Sequence, residues 1–259
     1  MTRTILGVFI LVAPFLANAL EGQSPAEADR IPVLAELFTS EGCSSCPPAD
    51  RLLESVSREQ PVEGVYVVAM SQHVTYWDHQ GWKDPFGSPR FTQRQSMYAG
   101  RFRLDDVFTP QLVIDGSTQM VGSDAGQLRR ALTEAARASK PRLTVEAVLT
   151  GQAGLVGSVS GPGLAAGATE GAELLWAVTE DDLSVEVKRG ENARRTLRHS
   201  GVVRTLISRR IDPTKASQVA DIRLQSGWKR EKLRLVAFVQ STKSKRVLSV
   251  GWALLSGTP

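Results

Sequence analysis

Residues 31–48, IPVLAELFTSEGCSSCPP, join a short apolar run to a Cys-x-x-Cys motif. The run 31–38 is rich in strand-forming residues, and a polar, turn-like stretch follows it. Two prolines come directly after Cys46, and proline is tolerated in the first turn of a helix, where its missing N–H would lack a partner anyway. From Ala49 onward, apolar residues recur at helical spacing. The stretch therefore predicts a strand, a turn and a helix with the cysteine pair at its amino-terminal end.

This position of Cys43 and Cys46 favours thiol chemistry. The positive end of a helix and its unpaired N–H groups stabilise a thiolate, which lowers the pKa of a cysteine there. The two-residue gap brings both sulfurs within reach of each other. We expect Cys43 to be the exposed attacking thiol and Cys46 the resolving one. An inert structural disulfide and two buried thiols kept for packing are the alternatives.

The segments around this motif continue an alternation of strands and helices. Residues 65–70 form a second buried-looking strand, and Ser88 is placed to cap a helix that runs to about residue 102. A strand is predicted at 111–114, and a last helix follows a cap at Ser123 or Asp124. This order predicts an α/β domain.

Residues 31–139 resemble the thioredoxin superfamily in this order of elements. Four stretches, at 42–50, 73–89, 108–116 and 190–197, are also similar to a secreted family with a thioredoxin-like amino-terminal domain, catalogued as a domain of unknown function of the 1223 type. Their sequences are GCSSCPPAD, HVTYWDHQGWKDPFGSP, FTPQLVIDG and GENARRTL. The resemblance implies a fold and leaves the activity open.

The resemblance also implies roles for residues around the cysteines. Thr109–Pro110 is expected to be a cis bond beside the disulfide that presents backbone groups to a substrate peptide. Glu36 is expected beneath the disulfide, where it would relay protons to Cys46; a Glu at a strand edge facing water is the alternative. Trp77 lies in an aromatic, charged loop that would form a lid or docking surface, or else a structured cover.

The sequence pattern changes after residue 140. Short alternating apolar runs separated by Gly- and Pro-containing turns predict an all-β, sandwich-like carboxy-terminal domain. The charge changes as well: residues 1–138 have a net charge of −4 and residues 139–259 a net charge of +8. We therefore predict two domains, at 31–139 and 140–259.

The first residues read as a cleavable export signal. Arg3 precedes an apolar run at 5–16, and Ala17-Asn18-Ala19 gives the small-x-small pattern of a cleavage site. The run is shorter than the roughly 20 residues that span a bilayer. We predict a signal peptide at 1–19, a linker at 20–30, no later transmembrane segment, and a periplasmic or secreted protein, in which a disulfide can persist.

Together these features predict thiol–disulfide exchange through Cys43 and Cys46, with protein thiols or disulfides and a redox partner as substrates and no cofactor. Whether the protein is an enzyme stays open. One alternative is a non-catalytic binding module with a structural disulfide. Another is copper or zinc handling by the cysteines with His73, and with His79 as a fourth ligand. The basic residues of the second half accompany no nucleic-acid motif, so no nucleic-acid partner is predicted.

Overall fold

The computed structural model describes residues 30–255. The predicted signal peptide 1–19 and all of the predicted linker except Arg30 lie outside the described residues. In chain order the elements are β1 (Ile31–Thr39), α1 (Pro47–Glu59), β2 (Val65–His73), α2 (Pro89–Phe102), β3 (Gln111–Ile114), β4 (Thr118–Val121), α3 (Ala125–Ala135), β5 (Thr144–Thr150), β6 (Gly154–Ser160), α4 (Pro162–Thr169), β7 (Ala172–Glu180), β8 (Leu183–Val187), β9 (Arg195–His199), β10 (Val202–Arg210), β11 (Ser217–Arg223), β12 (Leu233–Ser241) and β13 (Val247–Leu254).

The main structural unit is a mixed eight-stranded sheet in the order β13-β12-β7-β10-β2-β1-β3-β4. β1 pairs with β2 in parallel and with β3 in antiparallel fashion. β10 joins β2 in parallel at Val202 and Ser71, and the Ser71 N–H donates to the Gly201 carbonyl over 2.7 Å. One sheet thus contains strands from both sides of residue 140.

The predicted α/β thioredoxin-like amino-terminal domain followed by an all-β sandwich-like domain is wrong. The described chain is mostly strand, with four α-helices, and the strands of the second half extend the sheet of the first. The physical reason lies in β2, all of whose residues are buried. A long apolar strand at a sheet edge exposes unpaired backbone groups, and pairing with β10 covers that edge. The domain boundary near residue 140 stays a prediction.

The sheet faces are set by the two-residue period of the strands. In β1, Val33, Ala35 and Leu37 pack with apolar residues of α1 and α3. Leu34 points the other way, into a core that includes Phe91 of α2. The two faces of β1 therefore look toward different helices, and this division decides which side chains can meet the cysteine pair.

Two smaller sheets complete the fold. β11, β6 and β5 form a three-stranded antiparallel sheet whose apolar face packs, with α4, on β7 and β12. β8 and β9 form a separate hairpin. Within residues 30–255, no helix is both long and apolar enough to cross a membrane.

Candidate functional site

The cysteine pair lies where β1 passes into α1. Cys43 and Cys46 form a disulfide with their Cα atoms 5.5 Å apart. Cys46 is the N-cap residue of α1, and prolines occupy the first turn, as the sequence predicts. The Cys46 carbonyl accepts from the N–H groups of Ala49 and Asp50 over 2.8 and 3.1 Å. The disulfide is therefore held by the helix start itself.

The prediction that Cys43 is exposed is wrong. Both cysteines have a relative accessibility of 0%, although Ser44 and Ser45 between them are exposed. The tip of the β8–β9 hairpin is hydrogen-bonded to the backbone of the cysteine turn. The Asn192 amide donates to the carbonyls of Glu41 and Cys43, each over 2.9 Å, and is itself fully buried.

The hairpin tip is itself braced. The Glu191 carboxylate accepts from the Ser44 N–H over 3.0 Å, and the Arg195 guanidinium donates to the Asn192 side-chain oxygen over 3.0 Å. Gly190 takes a φ of +77°, a conformation in which glycine avoids the strain of a Cβ. The stretch 190–197 therefore forms a fitted cap on the cysteine turn.

The predicted substrate-binding residues lie on another side of the same turn. Thr109–Pro110 is a cis bond, so that prediction is confirmed. The Trp77 indole N–H donates to the Thr109 hydroxyl over 2.7 Å, and the Ser45 hydroxyl lies 3.5 Å from the Thr109 carbonyl oxygen. A Cβ at Gly42 would lie 3.0 Å from the Trp77 Cβ. The structure brings Trp77 and Thr109 to the cysteine turn, and their part in substrate binding stays a prediction.

Glu36 does not lie beneath the disulfide, and it does not face water. Its side chain is fully buried on the face of β1 opposite α1. Arg94 donates to both carboxylate oxygens over 2.6 and 3.0 Å, and the Tyr98 hydroxyl and the Gln72 amide donate over 2.5 and 2.8 Å. The two-residue period of β1 causes this, because Glu36 shares the face of Leu34.

The titratable residues on the α1 side of the sheet are different ones. We call them the histidine–carboxylate cluster, and every member is buried: Glu41, Asp50, His73, Asp84 and His199. His73 donates through Nδ1 to Asp84 over 2.8 Å, and His199 donates through Nε2 to Glu41 over 3.2 Å. The Glu41 N–H donates to Asp84 over 2.8 Å. The two imidazole rings meet edge to face with their centroids 4.8 Å apart.

Three atoms of this cluster have no hydrogen-bond partner within the described chain: Asp50 Oδ1, His73 Nε2 and His199 Nδ1. Buried polar atoms are nearly always paired, so each unpaired one requires an explanation. The Thr39 hydroxyl lies close enough to Asp50 to favour its charged form, but without normal hydrogen-bond geometry. Asp50 follows Cys46 by one helical turn, which places the cluster directly behind the disulfide.

Burial and mutual charge shift the pKa values of this cluster. Burial raises the pKa of Asp50, and the positive charges of His199 and His73 oppose this only in part. Burial lowers the pKa of His73, but the charge and hydrogen bond of Asp84 outweigh it, so that the net pKa is raised. Burial raises the pKa of Asp84, yet His73 and two backbone N–H groups bring the net pKa below its usual value. His73 and Asp84 thus each favour the charged form of the other, whereas burial shifts Asp50 toward its neutral form relative to a solvated aspartate.

Comparison with known proteins identifies the family. A family model described as "Protein of unknown function (DUF1223)" matches residues 34–240. The chain belongs to the DUF1223 family. The match includes the cysteine turn, the cis bond, the hairpin tip and every member of the histidine–carboxylate cluster, so the whole site lies within the matched range.

Solved structures share the fold of this DUF1223 protein. A crystal structure of a protein from Agrobacterium tumefaciens is 22% identical with a TM-score of 0.65, and the alignment covers 89% of this chain and 97% of that chain. HBP35 of Porphyromonas gingivalis is 13% identical with a TM-score of 0.60, over 89% of this chain and 80% of that one. The search of curated proteins gave no match.

The described part of this DUF1223 protein contains no ligand set for the metal-binding alternative. Across residues 30–255, no group of three or more His, Cys, Asp or Glu side chains converges in a way that could hold a metal ion. His73 is buried against Asp84, while His79 is exposed and bonds to the Tyr76 carbonyl over 2.6 Å. Both sulfurs are taken up by the disulfide, so a site on reduced thiols stays a prediction.

Sequence reasoning missed Asn192 and His199, and it treated Asp50 only as a charge near Cys43 and not as part of a site. Asn192 is part of the stretch GENARRTL that carried the family resemblance, but nothing in that stretch indicates a contact with Cys43. Asp50 could have been found, because it follows Cys46 by four residues on a predicted helix and so lies on the same face. His199 has no comparable local pattern.

Proposed function

We propose that this protein carries out thiol–disulfide exchange at Cys43 and Cys46, acting on protein thiols or disulfides in the periplasm or outside the cell. The observation that carries the proposal is the disulfide at the amino-terminal end of α1. There the helix dipole and the free N–H groups favour a thiolate in the reduced pair.

The reaction balances with the groups named. A substrate thiolate attacks one sulfur of the disulfide, a mixed disulfide forms and the other cysteine leaves as a thiolate. A second substrate thiolate then attacks the mixed disulfide at the substrate sulfur. The substrate is released as a disulfide, and the protein keeps two reduced cysteines after gaining two electrons and two protons. The reverse direction oxidises the protein pair and reduces a substrate disulfide.

Substrate access requires the hairpin tip to move. Asn192 and Glu191 occupy backbone groups of Glu41, Cys43 and Ser44 that an incoming polypeptide would meet first. These contacts are hydrogen bonds at the end of a hairpin that is separate from the main sheet, so they can open without breaking that sheet. Opening the tip would expose the sulfurs to a thiol.

A structural disulfide in a non-catalytic binding module is the second candidate. The observation that favours it is the complete burial of both sulfurs. Structural disulfides resist the glutathione pool, with reduction potentials below about −300 mV, whereas exchange-active ones lie higher. The reduction potential therefore separates the two candidates.

The test equilibrates the purified protein in glutathione buffers of varied poise and counts free thiols. Exchange activity predicts reduction at a poise above about −300 mV. A Cys46→Ser variant should then trap a mixed disulfide through Cys43, and a Cys43→Ser variant, as the matched control, should trap none. A disulfide that stays closed throughout this range would establish the structural role.

Export is tested separately. The pattern at 17–19 supports cleavage after Ala19, so protein recovered from the native host outside the cytoplasm should begin at Leu20. An intact Met1 on the recovered protein would contradict it.

A further inference from the structure

A cavity of about 300 Å³ lies between the start of α2 and strand β10, outside the cysteine site. Its lining includes two arginines and no acidic residue. The lining residues that matter here are Ser88, Arg90, Arg204, Gln225 and Trp228. A pocket whose only charged lining residues are arginines calls for an anionic occupant.

Arg204 is held in a fixed place in this pocket. Its guanidinium carbon lies 5.1 Å from the centroid of the Phe86 ring and 5.3 Å from that of Trp228. Two rings that flank one planar guanidinium restrict its motion, so little rotamer freedom is lost when an anion binds. The aromatic pair thus presents Arg204 to the cavity.

The hydrogen-bonding capacity of Arg204 is unused. Within the part of the chain described, it donates no hydrogen bond, and its ion-pair partner Glu180 is 3.5 Å away. The other Glu180 oxygen accepts from the Lys229 N–H over 2.9 Å. Burial lowers the pKa of Arg204 and Glu180 compensates only in part. The guanidinium thus has free donors for a second anionic group.

A second positive centre lines the same cavity. α2 has 14 residues, and Ser88 caps it by accepting from the Arg90 N–H over 3.3 Å. Ser88 also accepts from the N–H groups of Phe91 and Thr92, so this helix end acts on an anion through its dipole. The Arg90 side chain, anchored on the Leu206 carbonyl, adds a full positive charge beside this end.

We propose that this pocket binds a small dicarboxylate, with one carboxylate on the Arg204 guanidinium and the other at the start of α2 beside Arg90. Two separate positive centres in one cavity match two negative groups. The planar fork of arginine pairs with a carboxylate through two parallel hydrogen bonds. The hydroxyl of Ser88 and the amide of Gln225 provide further polar contacts. This site is independent of the exchange reaction.

The experiment is calorimetric titration of the purified protein with succinate, and with acetate and inorganic phosphate for comparison. Succinate should bind more tightly than either. Arg204→Gln should raise the Kd for succinate about ten- to a hundredfold, the loss expected for hydrogen bonds to a charged group. Arg101→Gln is the matched control, because Arg101 stacks on Phe102 outside the pocket and is exposed; its Kd should not change.

Gln225→Glu is a second variant at an exposed position, where loss of folding is not expected. It places a negative charge on the pocket rim and should also weaken succinate binding. The proposal is overturned if succinate fails to bind the unmodified protein, if phosphate or acetate binds more tightly, or if folded Arg204→Gln and Gln225→Glu bind succinate as well as the control.

Discussion

Two buried polar clusters lie on opposite faces of β1, and they differ in how completely they are hydrogen-bonded. On the α2 side, both oxygens of Glu36 are bonded, and Gln240 donates to Tyr98 over 2.8 Å and accepts from Arg94 over 3.1 Å. Gln72, which donates to Glu36 at the edge of this network, has one buried oxygen without a partner among the described residues. On the α1 side, the histidine–carboxylate cluster retains three unpaired polar atoms. We call the first set, formed by Glu36, Arg94, Tyr98 and Gln240, the arginine cluster.

The difference separates a structural role from a chemical one. A buried network whose polar atoms are all hydrogen-bonded fixes the packing of its elements. Unpaired buried polar atoms are costly, so they indicate a site where a protonation change or a moving element has a role. Burial of an acid alone, as with Glu36, therefore does not identify a functional site. The unpaired atoms of Asp50, His73 and His199, directly behind the disulfide, are the better indicator.

The largest expected effect is in the arginine cluster. Arg94→Gln would leave the Glu36 carboxylate without its charged partner, and removing one member of a buried ion pair destabilises a protein by about 3–5 kcal/mol. Urea unfolding measures this loss. Arg58→Gln, which removes an exposed pair with Glu59, should change the free energy of unfolding by less than about 1 kcal/mol. A loss in Arg94→Gln as small as in this control would show that the arginine cluster is not structural.

The next effect concerns the ion pair of the other cluster. His73→Gln should cost about 2 kcal/mol, since the hydrogen bond it removes goes to a charged group while Asp84 keeps two backbone donors. Because the pKa of His73 is raised, its stabilising contribution is complete below pH 6.5, the pKa of an ordinary histidine, and is lost as pH rises through the folded pKa. Because the pKa of Asp84 is lowered, its stabilising contribution is complete above pH 3.8, the pKa of an ordinary aspartate, and is lost as pH falls through the folded pKa.

The stabilising contributions of His73 and Asp84 are therefore both complete only between pH 3.8 and pH 6.5. The difference in free energy of unfolding between His73→Gln and the unmodified protein should be largest in this range. Urea unfolding across the pH range measures it. His79→Gln changes an exposed histidine and should show no such window. A gap that does not vary with pH would mean that His73 and Asp84 are not an ion pair.

A smaller effect is expected at the hairpin tip. Asn192→Ala removes two buried hydrogen bonds to the cysteine turn. The Cys43 carbonyl still accepts from the Cys46 N–H, so the loss falls mainly on the Glu41 carbonyl and the cost should be about 1 kcal/mol. The disulfide should also react roughly fivefold faster with dithiothreitol, the rate equivalent of that free energy. Glu186→Gln, at an exposed hairpin position, should leave the rate unchanged. Equal rates in both variants would exclude the tip as the cover.

The smallest effect on stability is expected at Asp50, where the variant should gain stability rather than lose it. Because the pKa of Asp50 is raised, its stabilising contribution is complete below 3.8 and is lost as pH rises through the folded pKa. Asp50→Asn keeps a neutral side chain at every pH. The variant should therefore gain stability relative to the unmodified protein as pH increases toward neutrality, as seen in thermal unfolding. Asp105→Asn changes an exposed acid and is the control; it should alter thermal stability little. A difference for Asp50→Asn that does not vary with pH would show that folding does not raise the pKa of Asp50.

The sequence predicts what local chemistry determines. Ser88 and Asp124 cap α2 and α3 as expected, because their side chains accept from backbone N–H groups in the first turn. The prolines after Cys46 place the start of α1, and the apolar run at 65–70 lies within β2. Each of these features depends on residues a few positions apart.

The remainder depends on contacts between distant residues. The pairing of β10 with β2, the cover of Asn192 over Cys43 and the bond between His199 and Glu41 all join the two halves of the chain. An alternating apolar run indicates a strand but does not determine which strand it pairs with, so the sequence of the second half predicts a separate sandwich. The prediction that Glu36 lies beneath the disulfide is wrong for a related reason. The resemblance implies a role for Glu36, but it does not determine which face of β1 the side chain occupies.

The bond between Ser71 and Gly201 has a consequence for how the chain folds. As the protein is synthesised, β2 is complete long before β10 exists, so its outer edge has no partner during that interval. Gly201 is needed for the final docking, because a Cβ there would lie 2.7 Å from the Ala69 carbonyl oxygen. Pairings between distant segments form slowly, and an unpaired apolar edge promotes aggregation. A newly made chain of this protein therefore keeps an aggregation-prone strand edge exposed until β10 has been synthesised.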